Sequence, residues 1–129
     1  LLFIEWFFNS FFVDFDWNVL FLCSSLKEIL LTDSVKSINK CAFAECSSVE
    51  KISISPTVEF IGESAFCRLE SLKKLKILSP KIVVEKLAFA ECSALYEVSI
   101  NSTSANIDKT AFFKCKSLKK KWRISSFSL

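Results

Sequence analysis

The dipeptide Ala-Phe stands at residues 42–43, 65–66, 88–89 and 111–112, a constant step of 23 residues. Self-similarity at a fixed period of this size marks a stacked-repeat architecture, and it restricts the fold before any local propensity is weighed. Reading outward from that anchor, one apolar column holds Leu26, Val49, Leu72, Leu95 and Leu118, and the next Ile29, Ile52, Leu75 and Val98. A third holds Leu31, Ile54, Ile77 and Ile100. Further along each unit come Ile38, Ile61, Val84 and Ile107, then the Ala-Phe pair, then Cys46, Leu69, Cys92 and Cys115. Subtracting the period from the first clear unit puts Phe3, Trp6, Phe8, Phe15, Val19, Leu20 and Cys23 in the same columns. The Phe-rich segment 1–22 therefore reads as a divergent first repeat. Another copy starts at Leu118 and breaks, because its next two slots hold Lys121 and Arg123, so 118–129 reads as an incomplete last repeat. The expected organisation is one solenoid domain, 1–129, of about five 23-residue repeats.

Each unit carries its own conformational signal. The spacing Leu-x-x-Ile-x-Ile ends in alternation, which puts Ile29 and Leu31 on one face of a short strand and Glu28 and Leu30 on the other. From Ile38 the apolar positions 38, 42, 43, 46 and 49 match one face of a helical turn or two, with Ala42 small enough for close approach. A unit this short cannot bury its own apolar face, so the copies must stack. The expected fold is an α/β repeat solenoid, with a parallel β-sheet on one face and short helical turns or irregular segments opposite.

Written out, Cys-x-x-Leu-x-x-Ile-x-Ile, a proline in some copies, then Ile-x-x-x-Ala-Phe-x-x-Cys resembles the BspA-like leucine-rich repeat. Cys46-Ser-Ser-Val-Glu-Lys-Ile-Ser-Ile-Ser-Pro56 followed by Ile61-Gly-Glu-Ser-Ala-Phe66 is the clearest copy, and the likeness runs from about Cys23 to Leu118. Leu69 in the cysteine column, the aromatic first unit and the broken last one depart from it. The resemblance implies a leucine-rich-repeat solenoid that acts as a non-enzymatic adhesion module, on the cell surface of a bacterium or microbial eukaryote or secreted by one. Its implied partner is a host or matrix protein. It implies no catalytic residue and no cofactor.

The residues themselves point away from catalysis. There is no histidine, which removes the Ser-His-Asp and Cys-His arrangements and the commonest metal ligand. No glycine-rich phosphate loop is present in a chain with one glycine. The six cysteines include no Cys-x-x-Cys, and four of them share one inward column, where a small thiol packs well. Cys41 and Cys67 lie outside that column.

The natural binding surface is the outward side of the strands. Its positions are Glu5, Phe7 and Asn9; Glu28, Leu30 and Thr32; Lys51, Ser53 and Ser55; Lys74, Lys76 and Leu78; and Glu97, Ser99 and Asn101. Of these, Glu28, Leu30, Lys51, Ser53, Lys74, Lys76, Glu97 and Ser99 are the candidate ligand-binding residues, with Lys51, Lys74 and Lys76 as a basic patch suited to an acidic partner. The alternative is a structural spacer, a solenoid that only projects some other domain.

Charge is uneven along the chain: residues 1–22 carry three acids and no base, whereas 108–123 carry seven bases and one acid. The basic end is read as a solvated cap, and no nucleic-acid partner is expected. A transmembrane segment is not expected in the apolar N-terminus, because Glu5, Asp14 and Asp16 would each cost about 2–3 kcal/mol in a bilayer. Asn101-Ser102-Thr103 is a glycosylation sequon. With no methionine, even at position 1, the chain reads as a segment of a longer protein that continues into further repeats.

Overall fold

The computed structural model describes residues 26–31, 33–118 and the backbone of Arg123–Ile124. The divergent first unit and most of the incomplete last one lie outside them.

Four successive units each contribute one strand to both of two parallel sheets, and the next adds a strand to the front one. The front sheet is built from β1 (Glu28–Leu30), β3 (Lys51–Ile54), β5 (Lys74–Ile77), β7 (Glu97–Ile100) and β9 (Arg123–Ile124), side by side in that order. The back sheet holds β2 (Ser37–Ile38), β4 (Phe60–Ile61), β6 (Lys81–Val84) and β8 (Ser104–Ile107). Register follows the repeat: Ile29, Ile52, Leu75 and Val98 stand beside one another across the front sheet, as do Ile38, Ile61, Val84 and Ile107 across the back. Both sheets turn these columns inward. A one-residue slip would move a whole apolar set into water, so the register is fixed by burial.

The columns read from the sequence form one core. Ile29, Ile52, Ile54, Ile61, Leu72, Leu75 and Ile77 are all at most 1% exposed. Phe43, Phe66, Phe89 and Phe112 make a stack along the axis, with neighbouring ring centroids 5.2, 5.0 and 5.5 Å apart and the planes within 9° of parallel. Each such pair is worth about 0.5–1.5 kcal/mol beyond the area it buries. The alanines 42, 65, 88 and 111 are at most 1% exposed, where a larger side chain would have no room. Polar groups that enter the core are satisfied: the Ser79 hydroxyl donates to the Ser55 carbonyl at 2.9 Å and the Ser102 hydroxyl to the Pro80 carbonyl at 3.0 Å. At Gly62 two units approach closely, since a Cβ there would lie 2.7 Å from the Lys40 amide nitrogen.

The expectation of one sheet with helical turns or irregular segments opposite is corrected: a second parallel sheet stands there, among the described residues there is no helix, and the wall from Asn39 to Cys46, repeated in later units, is an irregular run of turns. Cys41, Glu45, Ser64, Arg68, Leu87, Glu91 and Lys114 all have φ between 56° and 64°, the left-handed region that interrupts a right-handed helix. The hydrogen bonds explain how such residues persist. Ala42, Ala44 and Cys46 close four-residue turns on Asn39, Cys41 and Phe43, whereas Cys41, Phe43 and Glu45 turn their N–H groups along the axis to Glu63, Ala65 and Cys67. Half of the wall's donors are thus spent on the next unit. A helix would have kept them inside its own turn. The spacing 38, 42, 43, 46 and 49 was right about burial and wrong about conformation, because a turn wall bonded to its neighbour buries the same positions.

Candidate functional site

Because alternate strand residues point out of the sheet, the front sheet presents a grid. One row runs Lys27, Glu50, Lys73 and Tyr96 just before the strands, and the next runs Glu28, Lys51, Lys74 and Glu97 in register. Two residues on lies the row Leu30, Ser53, Lys76 and Ser99. All eight candidate residues therefore sit on one face, in two adjacent rows. Lys51, Lys74, Lys76 and Glu97 are exposed, Glu28, Ser53 and Ser99 half-buried, and Leu30 is 37% exposed.

Two features of that face differ from the sequence reading. Ser55 is not outward: it is 8% exposed, whereas Leu78 and Asn101 at the same place in the next two units are exposed. The basic patch is also partly neutralised. Lys51 lies 3.7 Å from Glu28 and Lys74 3.8 Å from Glu97, while Lys27 and Lys73 share Glu50 at 3.9 and 3.6 Å. Tyr96, 53% exposed, was missed. Its signal was a neutral aromatic in a column that otherwise reads Lys27, Glu50, Lys73.

The turn wall carries a second set of charges. Arg68 reaches Glu45 at 3.0 Å and Glu91 at 3.4 Å, and these bonds hold its guanidinium further toward the charged form. Lys40 and Lys86 flank Glu63 at 3.5 and 3.7 Å. Each of the eight ion pairs among the described residues joins side chains 23 positions apart, one unit to the next. Replacing Arg68 with glutamate would put three acids in a single column. Urea denaturation should then show a lowered midpoint in dilute buffer and a difference from the parent that narrows at high salt, where exposed charges are screened. A difference independent of salt would mean that Arg68 acts through its packed stem instead. Beside this column runs a groove of about 770 Å³ lined by Glu45, Arg68, Glu70, Glu91, Lys114 and Lys116 among others.

The buried thiols have packing partners. The Cys92 thiol is held well above the usual thiol range, first by its hydrogen bond with Cys115 and then by burial. The Cys92 and Cys115 sulfurs lie 3.3 and 3.1 Å from the carbonyls of Phe66 and Phe89. Cys67 on the turn wall is also raised, by burial and then by Cys41. Cys92 and Cys67 are therefore protonated, weakly nucleophilic groups, whereas the Cys115 thiol is shifted down, first by its hydrogen bond with Cys92. Among the described residues no cluster of three or more His, Cys, Asp or Glu is placed to hold a metal ion, and no helix is long and apolar enough to cross a membrane.

The family model for the BspA type leucine rich repeat region matches residues 17–127, in six copies. No curated protein and no solved structure matches the chain.

Proposed function

Since the chain belongs to the BspA-type leucine-rich-repeat family, we propose that it is a non-enzymatic protein-interaction module, presenting the front sheet to a protein ligand on a cell surface or after secretion. The observation that carries this is where apolar surface is left in water. Of the four large hydrophobic side chains that remain exposed among the described residues, Leu30, Leu78 and Tyr96 lie on or beside the front sheet's outer face. The core needs none of them, and aromatic and aliphatic groups set among polar ones are the usual anchors of a protein contact. Adhesion to a host or matrix protein is the form of this activity that the family supports best, and it calls for no cofactor.

The spacer alternative draws its support from the ion pairs, which commit most of the face's charge to holding units together. Binding to an array of extracellular-matrix proteins, sulfated glycans and nucleic acids at fixed salt separates the two. The adhesion reading expects capture of a matrix protein, lost when Lys51, Lys74 and Lys76 are changed to serine in a variant whose circular dichroism is unchanged. A folded chain that captures nothing would favour the spacer.

A further inference from the structure

The front face is not uniform along its strands. Near the N-terminal ends of the strands, positive charges stand against carboxylates: Lys27 and Lys73 against Glu50, Lys51 against Glu28, and Lys74 against Glu97. Further along, the row Leu30, Ser53, Lys76, Ser99 contains one charge, and the positions that follow it include Leu78 and Asn101. The Lys76 ammonium meets no carboxylate in an ion pair among the described residues. Leu30 and Leu78 are each 37% exposed.

These halves differ in what it costs a partner to cover them. Covering the first strips water from charges that already have partners and offers little new pairing in return. Covering the second removes apolar surface from water and gives a lone ammonium a counter-charge. We infer that, if this face binds protein as proposed above, the centre of contact is the strip Leu30, Ser53, Lys76 and Ser99 together with Leu78. It takes a protein segment that carries one carboxylate between apolar side chains. Lys51 and Lys74 serve the stacking of units and do not touch the partner. A polyanion such as a sulfated glycan or nucleic acid draws its affinity from several cations at once, and this strip supplies one.

The test uses the whole chain and a fluorescent peptide with a central glutamate flanked by alternating serine and leucine, titrated by anisotropy at fixed salt. Lys76→Ser should weaken binding by about tenfold, as should a glutamine in place of the peptide's glutamate, while the Lys51→Ser, Lys74→Ser double variant stays within about twofold. The inference is overturned if the peptide does not bind, if its glutamate and glutamine forms bind alike, or if Tyr96→Ala abolishes binding and Lys76→Ser leaves it intact. The matrix-protein array keeps this separate from the broader reading. Capture lost in the triple lysine variant but kept in Lys76→Ser sinks the strip and leaves the face, whereas capture that survives the triple variant sinks the face itself.

Discussion

Phe66→Ala should destabilise the chain by about 3–5 kcal/mol, a large share of the 5–15 kcal/mol that holds a typical domain folded. Phe66 is fully buried and sandwiched between the rings of Phe43 and Phe89 at 5.2 and 5.0 Å. Truncation removes both ring contacts and leaves a cavity at the middle of the stack, where the flanking backbones are bonded to each other and cannot close in. Each unit touches only its neighbours, so the lesion also uncouples the units on either side. Phe112→Ala is the comparison: that ring is half-buried and stacks on Phe89 at 5.5 Å, and its loss should cost less. Urea unfolding followed by far-ultraviolet circular dichroism reads both. Equal, small shifts for the two variants would mean that the stack is incidental to stability.

Ser64 offers a test in which the sign of the effect matters. Its φ is 56° and its N–H donates to the Lys86 carbonyl at 3.2 Å. Proline there forces φ to about −65° and removes the donor, so Ser64→Pro should cost at least about 3 kcal/mol. Ser64→Gly relieves the left-handed strain and should raise stability by about 0.5–1 kcal/mol, net of the entropy glycine adds to the unfolded chain. In a helical wall the same change would lower stability by several tenths of a kcal/mol. A thermal melt in which the glycine variant falls below the parent would therefore speak for helical turns at this position.

The period carried most of the fold. Once the Ala-Phe step was fixed, the inward columns and the parallel stacking followed, and Ile52, Phe66 and Leu75 are buried as that reading requires. The local conformation of the turn wall was not legible. Positive φ is normally announced by glycine or asparagine, and here it falls on Cys41, Glu45, Leu87 and other ordinary residues, held there by bonds to the next unit. Such bonds are a property of the stack and leave no mark within one repeat. The outward rows of the candidate site were legible from alternation alone. The pairing of Lys51 with Glu28 was written in the columns as well, but it becomes visible only when charges are compared one period apart.

That comparison bears on how an array of this kind can gain or lose units. The core columns are nearly interchangeable from one repeat to the next, so packing alone would let any unit follow any other. The ion pairs would not: Glu45, Arg68 and Glu91 alternate in sign, as do Lys40, Glu63 and Lys86, and Lys27, Glu50 and Lys73. Excising the unit that carries Glu50, Glu63 and Arg68 would set Glu45 against Glu91, Lys40 against Lys86 and Lys27 against Lys73. Excising that unit together with the next would set Glu28 against Glu97 and Lys40 against Lys109 and leave only Glu45 facing a base, Lys114. Surface charge thus specifies which unit can follow which, a selectivity that the hydrophobic interior of the array does not have.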